Sequence, residues 1–178
     1  MVLTLDSVEV SLEEFITNPP EGKEWVEGAW IEKADMTIRH SKLQAELAYL
    51  WRSYVEQSNQ GGGVYTELPC ITRDRGRRPD VAYLTADLVA EYGDRPTLPH
   101  SPPLIAEIAS PTDYAEELFS KAKEYLDSKC LEVWLVFPEN NQVLIKLADR
   151  TLVFEHSAEI STQIALPGFT VSLNQLFA

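Results

Sequence analysis

Three side chains between Arg77 and Val136 have the types and setting for phosphodiester chemistry: Asp80, Glu107 and Lys121. Divalent-metal cleavage of a phosphodiester needs hard oxygen ligands, a polarised water and positive charge near the developing phosphorane. Mg²⁺ is commonly held by one or two carboxylates, with water and substrate oxygens completing its shell, and the bound ion can activate the water. A lysine of depressed pKa could orient or deprotonate that water. Asp80 opens the apolar run Val81-Ala-Tyr-Leu84 directly after Pro79, and Glu107 is the single charge inside Leu104-Ile-Ala-Glu-Ile-Ala109. A run of that kind is expected to be a strand buried on both faces. An unpaired carboxylate there would cost several kcal/mol, so Glu107 calls for a partner or a task. A Pro-Asp pair, by contrast, is common in turns, and Asp80 alone would be structural more often than not.

The lysine is harder to place by pattern. After Pro111, Thr112 or Asp113 can cap a helix whose first turn gains Glu116 and Glu117. Its apolar stripe is Ala115, Leu118, Phe119, Ala122, Tyr125 and Leu126. Lys121 and Lys123 flank that stripe on its two sides, so periodicity does not choose between them. Other sites are not encoded: His40 reads as a helix cap or surface residue, and His100 and His156 stand alone. There is no HExxH, no P-loop, no GxGxxG and no GxSxG elbow.

The elements that would position these residues are legible in order. Ser11-Leu-Glu-Glu14 fits a capping box for a short helix to Thr17, stopped by Asn18-Pro-Pro20. Lys23 to Glu32 reads as two strands around Glu27-Gly28, with Trp25 and Trp30 packing across them. From His40 to Gln57, Leu43, Leu47, Leu50, Trp51 and Tyr54 recur at helical spacing, and Gly61-Gly-Gly63 closes that helix. Val64–Ile71 is expected as one strand, Thr72–Arg78 as a loop, and 91–103, with four prolines, as a long mobile loop. Strands follow at Leu131–Phe137, Gln142–Leu147, Thr151–Glu155 and Gln163–Ala165, then the Pro167-Gly168 turn and a short helix from Ser172. This order predicts an α/β (α+β) fold with a mixed β-sheet flanked by helices. One domain spanning 1–178 is expected from the length.

Composition narrows the setting. Lys and Arg total 15 against 28 Asp and Glu, a net charge of -13, which works against non-specific attraction to phosphate backbones. The cluster Arg73, Arg75, Arg77 and Arg78 could still concentrate positive charge at one mouth. Cys70 and Cys130 are isolated, which argues against a disulfide framework or zinc site and suits a reducing, cytoplasmic home. Met1 to Asp6 lacks the basic and apolar runs of a signal peptide, and no apolar stretch is long enough to span a bilayer. Apolar strands near the C-terminus would suit a homodimer.

Taken in order, Pro79-Asp80, Glu107-Ile-Ala-Ser-Pro111, Lys121 with Tyr125, and Glu132-Val-Trp134 resemble the Uma-type, restriction-endonuclease-like family of the PD-(D/E)XK superfamily. Ser11-Leu-Glu-Glu-Phe15, Glu24 with Gly28, His40-Ser41 and Leu166-Pro-Gly-Phe169 fall in the family's order too. The resemblance covers nearly the whole chain and implies a restriction-endonuclease-like mixed sheet. It also implies Asp80 and Glu107 as ligands of Mg²⁺ (or Mn²⁺). The superfamily's usual lysine position, two residues after the second acid, is Ala109 here; the family's lysine four residues before a tyrosine selects Lys121 over Lys123. An additional acid of the superfamily would be Glu46 on the His40 helix or Glu24 on the hairpin. A glycine usual after the lysine helix is replaced by Lys129-Cys130. The implied activity is a Mg²⁺-dependent endonuclease acting on DNA. The alternatives are a catalytically silent binding or regulatory module with the same fold, favoured by the acidity and the displaced lysine, and a hydrolase of another phosphate ester.

Overall fold

The computed structural model describes residues 10–33 and 36–178; the Met1–Asp6 stretch read above lies outside them. In chain order the described elements begin with α1 (Leu12–Thr17), β1 (Lys23–Val26), β2 (Ala29–Glu32), α2 (Ile38–Ser58), β3 (Gly63–Thr66), β4 (Cys70–Ile71), β5 (Gly76–Arg77), β6 (Val81–Leu84) and α3 (Ala86–Tyr92). They continue with β7 (Leu104–Ile108), α4 (Ala115–Leu126), β8 (Glu132–Phe137), β9 (Gln142–Lys146), β10 (Thr151–Phe154), β11 (Glu159–Ser161), β12 (Thr170–Ser172) and α5 (Leu173–Leu176).

The main sheet has the order β10-β9-β8-β7-β6-β3. Its pairs are antiparallel except β7 with β8, which run parallel because α4 makes the crossover between them. Helices cover both faces. Leu104, Ala106 and Ile108 of β7 join Leu43, Leu47 and Trp51 of α2 in one apolar cluster. Ile105 joins Leu118, Ala122 and Tyr125 of α4 in another. All five residues of β7 are buried, as the continuous apolar run requires. Trp51 and Trp134 meet edge to face, with ring centroids 5.6 Å apart, and lock α2 onto the sheet.

A second sheet, β2-β1-β5-β4, stands beside the first. The Trp25–Trp30 cross-strand pair forms as expected. The run Val64–Ile71 departs from expectation, since β3 joins the main sheet and β4 the second. Between them Glu67 has a φ of 53°, a left-handed turn that re-aims the chain just before Pro69. The stretch Thr72–Arg78 contains β5, and Gly76 is required there. A Cβ would lie 2.4 Å from a ring carbon of Phe15, so only glycine lets β5 approach α1 this closely.

Two other expectations fail. The 91–103 stretch is pinned rather than loose: Leu98 exchanges backbone hydrogen bonds with Pro69 and Ile71, and Thr97 donates to the Phe15 carbonyl. The strand placed at Gln163–Ala165 is replaced by β11 and β12, which pair around the bend containing those residues. A buried Glu132 holds that bend by accepting from the Gln163 and Ile164 N–H groups. Among the described residues, no helix is long and apolar enough to cross a membrane.

Candidate active site

Antiparallel pairing sets the two carboxylates side by side. The register matches Val81 with Ala106 and Ala82 with Ile105. Asp80 directly precedes Val81, so this register brings it beside Glu107 at the ends of β6 and β7. Asp80 Oδ2 accepts from the Ile108 N–H at 2.7 Å, which ties the head of β6 to the residue after Glu107. Both carboxylates line a groove of about 980 Å³, which Glu24, Lys33, His40 and Lys121 also line.

Glu107 faces α4, and α4 answers its charge. The Tyr125 hydroxyl donates to Glu107 Oε1 at 2.6 Å, and Lys121 Nζ lies 3.1 Å from the same oxygen. Lys121 and Tyr125 are four residues apart, hence on one helix face. Lys123 points to the opposite side, where it pairs with Asp127 at the surface. Burial raises the Glu107 pKa to about 7, with the Asp80 charge adding to the shift and Lys121 opposing it. Lys121 moves the other way. Burial pulls its pKa down, but the carboxylates of Glu107 and Glu24 outweigh burial and hold it well above the usual lysine value. This direction is opposite to the depressed pKa expected of a lysine that would deprotonate water.

Glu24 of β1 reaches the same ammonium at 2.8 Å. It also accepts from the Arg78 N–H at 3.1 Å and pairs with Arg77 at 2.8 Å. Burial opposes its ionisation, but Lys121 and Arg77 prevail and lower its pKa to about 2. Of the two candidates for an additional acid, Glu24 is in the groove. Among the described residues Glu46 makes no ion pair with this cluster and does not line the groove.

Asp80 is enclosed from the hairpin and from α2. Lys33 Nζ lies 2.8 Å from Oδ1 and His40 Nε2 3.2 Å from Oδ2. Burial works against the Asp80 charge, while the bonds from His40 and Lys33 overcome it and hold the pKa far below the usual carboxylate range. The amide of Gln44 donates to the Asp80 carbonyl and to Glu67. His40 is thus neither a cap nor a surface residue; Thr37 caps α2. His40 and Gln44 could have been found in the sequence, because they lie four apart and continue the buried stripe of Leu43 and Leu47. Lys33 and Glu67 carried no such signal.

The arginine cluster is mostly spent within the protein. Arg77 is clamped by Glu124 and Glu24, Arg75 by Glu124 and Glu27, and Arg78 donates to the Glu67 and Pro19 carbonyls. Arg73 is exposed. Around the groove mouth, Glu32, Glu116 and Glu117 are exposed as well.

The donor chemistry fits a hard divalent cation. Asp80 and Glu107 offer carboxylate oxygens at adjoining strand positions in one groove. Among the described residues no three His, Cys, Asp or Glu side chains are grouped so that they could hold a metal ion. Carboxylate oxygens, completed by water and phosphate oxygens, are the donors that Mg²⁺ takes.

A solved structure from Anabaena variabilis, titled "a putative nuclease belonging to DUF820", superposes with a TM-score of 0.82 at 22% identity, over 94% of this chain and 97% of that one. At that identity the likeness speaks for the fold. Among curated proteins, none matches. Residues 11–174 match the family described as "Uma2: Putative restriction endonuclease". That stretch takes in both carboxylates, the lysine helix and all of the main sheet, and the chain belongs to the Uma2 family.

Proposed function

We propose that this protein is a Mg²⁺-dependent (or Mn²⁺-dependent) endonuclease that hydrolyses phosphodiester bonds in DNA, with its site at Asp80, Glu107 and Lys121. One observation carries the reading. The carboxylates of Asp80, just before β6, and of Glu107, within β7, line one groove, where the largely enclosed Lys121 ammonium lies 3.1 Å from Glu107. Glu107 is bonded by both Tyr125 and Lys121 and also lines the groove.

Asp80 and Glu107 would hold the metal, which when bound supplies an activated water and charge neutralisation. The protein's own groups do the positioning. Ile108 N–H and His40 fix the Asp80 carboxylate, and Tyr125 fixes Glu107. Lys121 keeps its proton and contributes positive charge beside the reacting phosphate, the electrostatic role of a preorganised cation. Glu24 holds that ammonium in place from the far side.

A silent binding module remains the competing reading, because the groove's cations are already paired with carboxylates and its rim is acidic. Incubation with plasmid DNA, single-stranded DNA, RNA and small phosphodiesters in Mg²⁺ or Mn²⁺ separates the two. Chelator-sensitive nicking of DNA that Glu107→Gln abolishes supports the nuclease. Cleavage confined to RNA or small esters would overturn the DNA assignment, and no cleavage of any substrate would leave the module.

A further inference from the structure

Lys33 follows β2 and turns into the groove, where its ammonium is surrounded by oxygen. Glu67 Oε1 and Oε2 lie at 2.8 and 2.9 Å, the Arg78 carbonyl at 2.8 Å and Asp80 Oδ1 at 2.8 Å. An ammonium has three N–H donors, and here all its near neighbours are acceptors. The side chain is 16% exposed and that of Asp80 3%.

Glu67 is held in this arrangement by two features that an ordinary turn glutamate would not need. Its backbone adopts a φ of 53°, which costs a non-glycine residue of order 1 kcal/mol. Gln44, buried on α2, donates to its Oε1 at 3.0 Å. His40 and the Ile108 N–H take Asp80 Oδ2, which leaves Oδ1 to Lys33.

We propose that Lys33 is a tethered cation that occupies Asp80 Oδ1 in the metal-free protein, and that a divalent ion loads by exchange for it while Glu67 retains the displaced ammonium. The inference rests on the reading of Asp80 as a metal carboxylate. A buried carboxylate left without a countercharge is strongly destabilising, so the tether preserves the fold before loading. The same contact opposes loading, since ammonium and metal compete for one oxygen. Lys33 thereby sets the metal concentration at which the site fills.

The test is calorimetric titration of Mn²⁺ into the full chain and into Lys33→Gln and Lys33→Met. Gln can still donate to the Arg78 carbonyl without carrying charge. Lys23→Gln serves as control, because Lys23 pairs with the exposed Glu32 and not with Asp80, Glu67 or Glu107. Exchange predicts that both Lys33 variants bind Mn²⁺ about tenfold or more tighter, the scale of a close charge-pair coupling, and that Lys23→Gln binds as wild type does. The metal-free Lys33 variants should melt at lower temperature than wild type and recover on Mn²⁺ addition.

Unchanged or weaker binding in the Lys33 variants, with wild-type binding that Asp80→Ala removes, would overturn exchange and leave the metal site standing. Equal tightening in Lys23→Gln would reduce the effect to net charge and also overturn it. No Mn²⁺ binding by any form would overturn both readings. If the Lys33 variants fold only with Mn²⁺ present, the exchange is supported; if Mn²⁺ does not rescue them, Lys33 is structural and the proposal falls.

Discussion

Asp80 Oδ2 accepts from the Ile108 N–H at 2.7 Å, so the Asp80 carboxylate is bonded to the backbone of the residue after Glu107. The bond links the strand ends of β6 and β7 independently of any metal. The relative placement of Asp80 and Glu107 is therefore part of the fold. Substituting either carboxylate by its amide should leave the fold intact and reduce metal-dependent cleavage by about 10²-fold or more, the loss typical of a directly acting group. Circular dichroism and nicking rates of Asp80→Asn and Glu107→Gln check this; a variant that retains half its rate would remove that residue from the site.

Lys121 and Lys123 offer a comparison within one helix. Lys121 holds Glu24 and Glu107 together, whereas Lys123 pairs with Asp127 at the surface. Lys121→Ala should lower stability by about 3 kcal/mol through the buried carboxylates it strands. Lys123→Ala should change stability by less than about 1 kcal/mol. Denaturant titration of the two variants decides, and similar losses would mean that α4 does not face the groove as described.

Acid should unfold the protein partly through Glu24. Its folded pKa of about 2 lies below the usual 4.5, because Lys121 and Arg77 outweigh the cost of burial. A lowered folded pKa contributes stability above the unfolded value, and that contribution is lost as pH falls from about 4.5 towards 2. Its size is about 3 kcal/mol from the shift alone. Glu24→Gln should flatten the stability profile across that window. A profile with the same slope as wild type would show that Glu24 is not the carboxylate being titrated.

Glu132 stands inside a stretch that the sequence marks as part of a family pattern, yet its surroundings are structural. Its carboxylate accepts from Trp134 Nε1 at 2.7 Å and from the Gln163 and Ile164 N–H groups at 2.7 and 2.9 Å. It is fully buried. Glu132→Ala should cost about 3 kcal/mol or more by orphaning three donors. Mn²⁺ binding by the folded fraction should be unchanged. Weakened Mn²⁺ binding at a temperature where the variant is folded would assign it to the site instead.

Local pattern carried much of this structure. The helical spacing of Leu43, Leu47 and Trp51 marks α2, the apolar run around Glu107 marks β7, and Ser11 caps α1 as its sequence indicates. The site was legible where a charge interrupts an apolar run, as Glu107 does. It was not legible where residues meet by long-range pairing. Lys33 lies 47 positions from Asp80 and reaches it only because β1 and β5 pair. The division of Val64–Ile71 between two sheets turns on the backbone of Glu67, which no hydrophobic period records. The short α3 was missed because seven residues give too few turns for a period, although Thr85 caps it. The choice between Lys121 and Lys123 required knowing which edge of the α4 stripe borders the groove, since the two lysines flank that stripe and periodicity does not separate them.

The most direct measurement is calorimetric binding of Mn²⁺ or Mg²⁺ to the wild type and to Asp80→Ala and Glu107→Ala, each confirmed folded by thermal melting. The account predicts stoichiometric binding to the wild type and its loss in both variants. Binding that survives both substitutions, or no binding by the wild type even with DNA present, would contradict it.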